Sequence, residues 1–125
     1  CIRDSSRALR HDEPAMLASL SARVGSITDN GMGGWYSYRA SKAAHNMLLR
    51  TLAREWRISH RNAAVLALHP GTVESRLSQP FVSSSYSKRV LKPQQSVEHL
   101  LAVMRGLSPS DSGCFYDWQG EVIPW

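Results

Sequence analysis

The stretch Ser37–Trp56 constrains the fold of this chain more than any other part of its sequence. Its apolar residues recur every three or four positions, which is the spacing of an amphipathic helix that buries one face. These residues are Ala40, Ala44, Met47, Leu48, Leu52 and Trp56. The pattern predicts a helix from Ser37 to about Ile58, with Ser37 as its N-cap.

Short apolar runs before and after this helix predict buried strands. Ala15–Leu20 and Ala63–Leu68 are nearly continuous in apolar residues, as in a parallel sheet that is covered on both faces. A second helix is predicted over Ser96–Leu107, with Ser96 as its cap, and a short strand over Cys114–Tyr116. The order strand, helix, strand, helix, strand predicts an α/β fold with a parallel sheet and right-handed crossovers.

The other segments carry a weaker structural signal. Residues 1–14 are polar and charged, which predicts the end of a helix or a frayed start, and residues 15–125 are assigned to the folded domain. The turn signal Asp29-Asn30-Gly31 places residues 24–34 in a loop. Residues 75–87 are rich in serine and predict irregular structure.

The composition is that of an ordinary globular domain. Hydrophobic residues make up 42% of the 125 residues and charged residues 20%. No apolar run approaches the roughly 20 residues that span a bilayer. The net charge of +5 comes mainly from dispersed arginines, which are more typical of a solvated surface than of a nucleic-acid interface. Cys1 and Cys114 do not make a disulfide framework, so a cytoplasmic location is expected.

Tyr38 and Lys42 are the candidate catalytic residues of the first helix. Because they are four positions apart, they lie on one face, one turn apart, where the ammonium would stabilise the phenolate. Ser26 lies twelve residues before Tyr38, and Pro70-Gly71-Thr72-Val73 follows the second predicted strand. Functional residues of such sheets gather beyond the carboxyl ends of the strands, so we expect all of these groups on one rim.

In this combination the sequence resembles the short-chain dehydrogenases/reductases. The matching pieces are the serine, the Tyr-x-x-x-Lys about a dozen residues later, the run Ser41-Lys42-Ala43-Ala44 and the Pro-Gly-Thr-Val after the next strand. The sequence is similar to the bacterial C-factor-like branch of this family at residues 21–27, at residues 33–38 and at the closing Ile123-Pro124-Trp125. The resemblance covers roughly Ala15 to Trp125 and implies the C-terminal half of a Rossmann-like doubly wound parallel sheet.

The resemblance also implies a reaction, which is hydride transfer between a nicotinamide cofactor and a carbonyl or alcohol carbon. NADP is slightly preferred over NAD, and the substrate would be a small molecule. Tyr38 would be the general acid in reduction and the general base in oxidation. Lys42 would stabilise its phenolate and bind the nicotinamide ribose, and both side chains would touch the cofactor. Ser26 would hold the substrate oxygen.

The same resemblance assigns the turn after the second strand to the cofactor. Its residues Pro70, Gly71, Thr72 and Val73 would line the nicotinamide, with Thr72 near the carboxamide. Gly71 would permit a close backbone approach that a side chain would block. Residues 75–87 would form a lid over the substrate.

Three other interpretations have less support in the residues. Tyr36 competes with Tyr38 by composition, but it does not lie four positions before a lysine. His69, Ser26 and Asp29 would suit a hydrolase, but no Gly-x-Ser-x-Gly elbow surrounds the serine. The histidines show no paired ligand spacing, so no metal site is expected.

The chain departs from a complete member of the family in one large respect. We find no glycine-rich turn that would hold the cofactor's pyrophosphate, because Gly31, Gly33 and Gly34 all follow Ser26. A catalytically silent remnant, acting as a binding or assembly module, is therefore the alternative to an oxidoreductase. A chain that begins at Cys1 would be a processed chain or a piece of a longer one. If the protein truly starts there, no dinucleotide binding of useful strength is expected, because most of the phosphate contacts are missing.

The free edge of the first strand predicts a partner. Ala15–Leu20 would lie in the middle of a complete sheet, and an exposed apolar edge invites pairing with another chain. We therefore expect either a missing N-terminal half or a homo-oligomer.

Overall fold

Three parallel strands form the main sheet. In the computed structural model, which describes residues 9, 12–76, 78 and 90–125, these strands are β1 (Ala15–Leu20), β2 (Ala63–His69) and β5 (Phe115–Asp117). They pair in the order β1–β2–β5. Two short strands, β3 (Thr72–Val73) and β4 (Val90–Leu91), pair in parallel with each other. The predicted α/β fold is confirmed, although sequence reasoning did not foresee the β3–β4 ladder.

Among the described residues, two α-helices cover the two faces of the main sheet. The longer helix, α1 (Tyr36–Ser59), packs on one face, and the shorter helix, α2 (Pro93–Arg105), packs on the other. Buried residues on the α1 face include Leu49, Leu52, Ala53, Trp56, Val65 and Phe115. Those on the α2 face include Ala64, Leu66, Leu68, Leu100 and Tyr116. The described residues also form two short 3₁₀ turns, Arg23–Gly25 and Pro109–Asp111.

Strand β2 explains why the sequence shows an apolar run rather than an alternating pattern. Its residues 63–68 are at most 4% exposed, because neighbouring strands flank them and a helix covers each face. Odd-numbered residues point to the α1 face and even-numbered residues to the α2 face. Both sets must therefore be apolar.

The predicted helix caps are wrong. Helix α1 begins at Tyr36, so Ser37 lies inside the first turn and Trp35 occupies the N-cap position. Helix α2 begins at Pro93, a residue suited to the first helical position because it lacks the N–H that would go unpaired there. Ser96 consequently lies within α2, where it is 3% exposed. Strand β5 is shifted one residue beyond the predicted Cys114–Tyr116.

Strand β1 has one free edge within the described part of the chain. The sheet order leaves β2 as its neighbour on one side, and no described strand pairs on the other. Leu20, at the end of this strand, is 58% exposed. The predicted lid at 75–87 and the predicted frayed start lie largely outside the described residues. Neither described helix has the length and apolar character needed to cross a membrane.

Candidate active site

The parallel order of the sheet brings three chain segments to one rim. Strands β1, β2 and β5 run in the same direction and end at Leu20, His69 and Asp117. The backbone N–H of Ser21 continues the β1 ladder by donating to the Leu68 carbonyl oxygen, at 2.8 Å. The first 3₁₀ turn therefore follows β1 at the rim where the Pro70–Val73 turn follows β2. This is the rim at which sequence reasoning expected the functional residues.

Tyr38 and Lys42 lie in the first two turns of α1. Tyr38 is the third residue of the helix and is 41% exposed. Lys42 is half-buried because its backbone and Cβ pack against the first 3₁₀ turn. A Cβ placed on Gly25 would lie 2.7 Å from the Lys42 Cβ, so only a glycine fits there without displacing one of the two segments. The helical spacing puts the phenol and the ammonium on one face, while their catalytic roles stay predictions.

Asn46 and Ser21 are a buried polar pair that sequence reasoning did not assign to the site. The Ser21 hydroxyl donates to the Asn46 Oδ1 at 2.5 Å, and the two residues are 4% and 3% exposed. The pair therefore joins the residue after β1 to α1, one turn after Lys42. Among the described residues, the Asn46 Nδ2 has no hydrogen-bond partner. An asparagine on the buried face of an amphipathic helix was the available signal.

His45 adds a titratable group next to Lys42. Its Nε2 lies 3.0 Å from the Ser19 Oγ of β1. Burial of the imidazole lowers the pKa of His45 below its ordinary value, and the nearby Lys42 ammonium lowers it further. The neutral imidazole is therefore favoured at this position.

The Ser26 hydroxyl is engaged by the backbone. It donates to the Pro124 carbonyl oxygen and accepts the Asp29 backbone N–H, at 3.0 Å. A hydroxyl has one proton to donate, so this proton is not available to a substrate oxygen while the contact holds. The donation to a carbonyl, instead of to an imidazole, also speaks against the hydrolase interpretation. The substrate-binding role of Ser26 stays a prediction, although the geometry does not favour it.

Ser26 lines a cavity of about 210 Å³ that lies beside the Tyr38–Lys42 face. Among the described residues, α1 contributes Arg39, Ala40 and Ala43 to this lining, and not Tyr38 or Lys42. Successive helical residues point about 100° apart, so the cavity and the Tyr–Lys pair face different directions. The structure thus packs Lys42 against the first 3₁₀ turn, while a joint role of Ser26 and the Tyr38 phenol stays a prediction.

The Pro70–Val73 turn is held from two sides. The Ser96 hydroxyl of α2 donates to the Pro70 carbonyl oxygen at 2.7 Å. Gly71 has a φ of +81°, and a Cβ there would lie 2.8 Å from the Trp118 Cδ1. The neighbour that approaches this glycine in the structure is therefore the indole of Trp118. Contact of Pro70, Gly71, Thr72 and Val73 with a cofactor stays a prediction.

An ion pair ties the first 3₁₀ turn to the end of β5. The Arg23 Nη2 lies 2.7 Å from the Asp117 Oδ2, and Asp117 is 2% exposed. The other carboxylate oxygen of Asp117 accepts the backbone N–H groups of Gln119 and Glu121. The same arginine lies 3.6 Å from the Asp29 carboxylate. The rim is thus cross-linked by contacts that span most of the chain.

The residues present fit one end of a nicotinamide dinucleotide. An exposed phenol, a lysine one turn later and a positive-φ turn after the next strand lie at one rim. The described residues include no strand–turn–helix unit with a glycine-rich turn for the pyrophosphate, since the loop at Gly33 and Gly34 follows a 3₁₀ turn. No group of three or more metal-binding side chains occurs among the residues described.

Comparisons with known proteins identify relatives. No family model matches the chain. It is 36% identical to the C-signal of Myxococcus xanthus over 117 residues, covering 94% of this chain and 65% of that protein. It is also 36% identical to the 1-hydroxy-2-glutathionyl-2-methyl-3-butene dehydrogenase of a Rhodococcus species, covering 91% of this chain and 48% of that protein.

A solved structure is also similar to this chain in sequence and fold. The NADPH-bound carbonyl reductase from chicken fatty liver matches with a TM-score of 0.74 and 34% identity, over 88% of this chain and 42% of that protein. The chain therefore spans between about two fifths and two thirds of the lengths of these relatives. The resemblance found in the motifs is confirmed. This chain belongs to the short-chain dehydrogenase/reductase family.

Proposed function

We propose that this chain carries the proton-transfer half of an NAD(P)-dependent oxidoreductase that acts on a small carbonyl or alcohol substrate. The observation that carries the proposal is the placement of Tyr38 and Lys42 one turn apart at the rim of a parallel sheet, in a chain of this family. NADPH is the preferred cofactor, because a 34% identical carbonyl reductase structure holds it. When bound, the nicotinamide would supply or accept the hydride.

The chain's own residues would handle the proton. Tyr38 would hold the substrate oxygen by its phenol and transfer the Oη proton to that oxygen during reduction. Positioned acid catalysis of this kind contributes roughly 100- to 10,000-fold in rate. Lys42 would stabilise the resulting phenolate and bind the ribose. Pro70 and Thr72 would contact the nicotinamide from the neighbouring turn.

A second candidate function is assembly without catalysis. The free edge of β1 and the 58% exposed Leu20 favour it, because unpaired strand edges associate with other strands. Met47 and Leu48 of α1 are also apolar and more than 60% exposed. The partner would be a strand-bearing segment of the same protein or a second copy of this chain.

A fluorescence titration separates the two candidates. The purified 125-residue chain would be titrated with NADPH and with NADH, alongside Lys42→Ala and the control Lys92→Ala, whose side chain is exposed. Saturable NADPH binding that Lys42→Ala weakens and Lys92→Ala does not would support the oxidoreductase. An absence of saturation at millimolar cofactor, or equal binding by all three proteins, would contradict it and leave the assembly function.

A further inference from the structure

The side chain of Arg39, the residue after Tyr38, forms hydrogen bonds with three backbone carbonyl groups. Its Nε lies 3.0 Å from the Gly34 oxygen and 3.3 Å from the Gly33 oxygen, and its Nη2 lies 3.0 Å from the Gly33 oxygen. Its Nη1 donates to the Val24 oxygen at 3.2 Å. One guanidinium therefore joins the loop before α1 to the first 3₁₀ turn.

The loop that Arg39 holds has a conformation that needs support. Gly33, Gly34 and Trp35 have φ values of +66°, +70° and +49°. Trp35 is the only non-glycine residue with a positive φ among those described, and its Cβ makes that region unfavourable. The Arg39 guanidinium carbon lies 5.7 Å from the centroid of the Trp35 ring, which adds a cation–π contact to the hydrogen bonds.

The usual devices that fix a helix start are missing at α1. The N-cap residue, Trp35, makes no side-chain hydrogen bond to the first turn, and that turn contains no acidic residue. Serine, threonine, asparagine or aspartate at an N-cap would normally bind the free N–H groups, and an acidic side chain would favour the positive end of the helix. The first turn of α1 nevertheless carries Tyr38.

We propose that Arg39 is a positioning residue that fixes the loop before α1 by donating to its carbonyl groups, and thereby fixes Tyr38 at the rim. The guanidinium holds the left-handed loop from the helix side and anchors it to Val24, so the helix begins at one residue and the phenol keeps one position. The catalytic part of this inference rests on the proposed function. The structural part does not.

Arginine suits this role better than lysine does. Its planar fork presents five N–H groups in fixed directions, so that it can meet carbonyl groups from two segments at once. A lysine would retain the charge but offer only a compact ammonium. Arg39→Lys is therefore the informative variant, and Arg39→Ala is the stronger one.

Amide hydrogen exchange tests the structural part on the 125-residue chain. The matched control is Arg54→Lys, an exposed arginine in the C-terminal half of the same helix. In Arg39→Lys we expect exchange at residues 39–43 to speed up roughly tenfold, as expected from losing hydrogen bonds to a charged donor. Exchange at residues 49–56 and throughout Arg54→Lys should stay at the wild-type rate. Unchanged exchange at 39–43, or equal acceleration along the whole helix, would overturn the proposal.

Turnover tests the catalytic part separately. With NADPH and 4-nitrobenzaldehyde as the probe substrate, Arg39→Lys should lower kcat while the KM for NADPH stays near the wild-type value. A rise in that KM with unchanged kcat would show that Arg39 acts on the cofactor instead of on Tyr38, and would overturn this part. If the wild-type chain shows no turnover, the proposed function fails, while the exchange measurement still decides whether Arg39 fixes the helix start.

Discussion

Replacing Gly25 by alanine tests whether the first 3₁₀ turn is packed directly against Lys42. The added Cβ would lie 2.7 Å from the Lys42 Cβ, 2.8 Å from the Lys42 carbonyl carbon and 3.0 Å from the Asn46 Nδ2. Non-bonded carbons prefer separations near 3.5–4.0 Å, so one segment must move by roughly 1 Å. The atoms in the way include helix backbone, which cannot rotate aside.

The expected loss follows from these contacts. Overpacking of this kind costs about 1–3 kcal/mol. Alanine regains about 0.4–1 kcal/mol by restricting the unfolded chain, so the net loss for Gly25→Ala is about 1.3 kcal/mol at mid-range and at most about 2.6 kcal/mol. Gly31 is the matched control, because no atom lies within 4 Å of its added Cβ and its φ lies outside the left-handed region. Gly31→Ala should be neutral or slightly stabilising.

Urea unfolding followed by tryptophan fluorescence measures the difference. The midpoint for Gly25→Ala should fall while that for Gly31→Ala stays level or rises, with the same dependence on urea. Equal midpoints for the two variants would refute the packing of the first 3₁₀ turn on Lys42. The same result would contradict the assignment of this turn and Lys42 to one site.

Three further changes have expected outcomes. Ser26→Ala should lower the free energy of unfolding by about 1 kcal/mol, because a carbonyl of the C-terminal segment loses its donor; equal urea midpoints for variant and wild type would argue against that contact. Gly71→Ala should lower the free energy of unfolding by at least about 1–2 kcal/mol, since the φ of +81° is left-handed and the added Cβ would meet Trp118. The control Gly106→Ala should not lower it, because its added Cβ makes only an ordinary contact. A similar loss in both variants would contradict the close packing at Gly71. The pKa of His45 is lowered in the folded state, so the unfolded state binds the proton more tightly. The stability of the wild-type chain should therefore fall as the pH drops from about 6.5 through the folded-state pKa. His45→Gln should remove this loss of stability. An unchanged pH dependence of unfolding in this variant would contradict that assignment.

The fold was largely predictable because burial on two faces leaves a clear mark on a sequence. Ala63–Leu68 reads as an apolar run since both of its faces meet a helix. Ala15–Leu20 was predicted with the observed bounds. The helix starts were not predictable by the same logic. Ser37 and Ser96 are good capping residues by type, but the left-handed loop before α1 and Pro93 at the first position of α2 place both starts earlier in the chain.

The contacts at the rim could be predicted only in part. Tyr38 and Lys42 are related by local helical spacing, which a sequence displays directly. The partner of Ser26 lies 98 positions away in the chain, and the ion pair of Arg23 spans 94 positions. Neither contact leaves a local pattern. Trp118 at Gly71 is likewise set by where β5 ends.

A comparison of two tyrosines that are two positions apart tests directly whether Tyr38 is the proton donor. Initial rates of NADPH oxidation with 4-nitrobenzaldehyde would be measured for the wild-type chain, Tyr38→Phe and Tyr36→Phe. Tyr36 is 85% exposed and lacks a lysine one turn later, so it controls for the loss of a phenol at the start of α1. Tyr38→Phe should lower the rate by at least about 100-fold, while Tyr36→Phe should leave it within a factor of about two. Equal rates for the two variants, or no measurable turnover by the wild-type chain, would contradict the claim that Tyr38 is the proton donor of an active oxidoreductase.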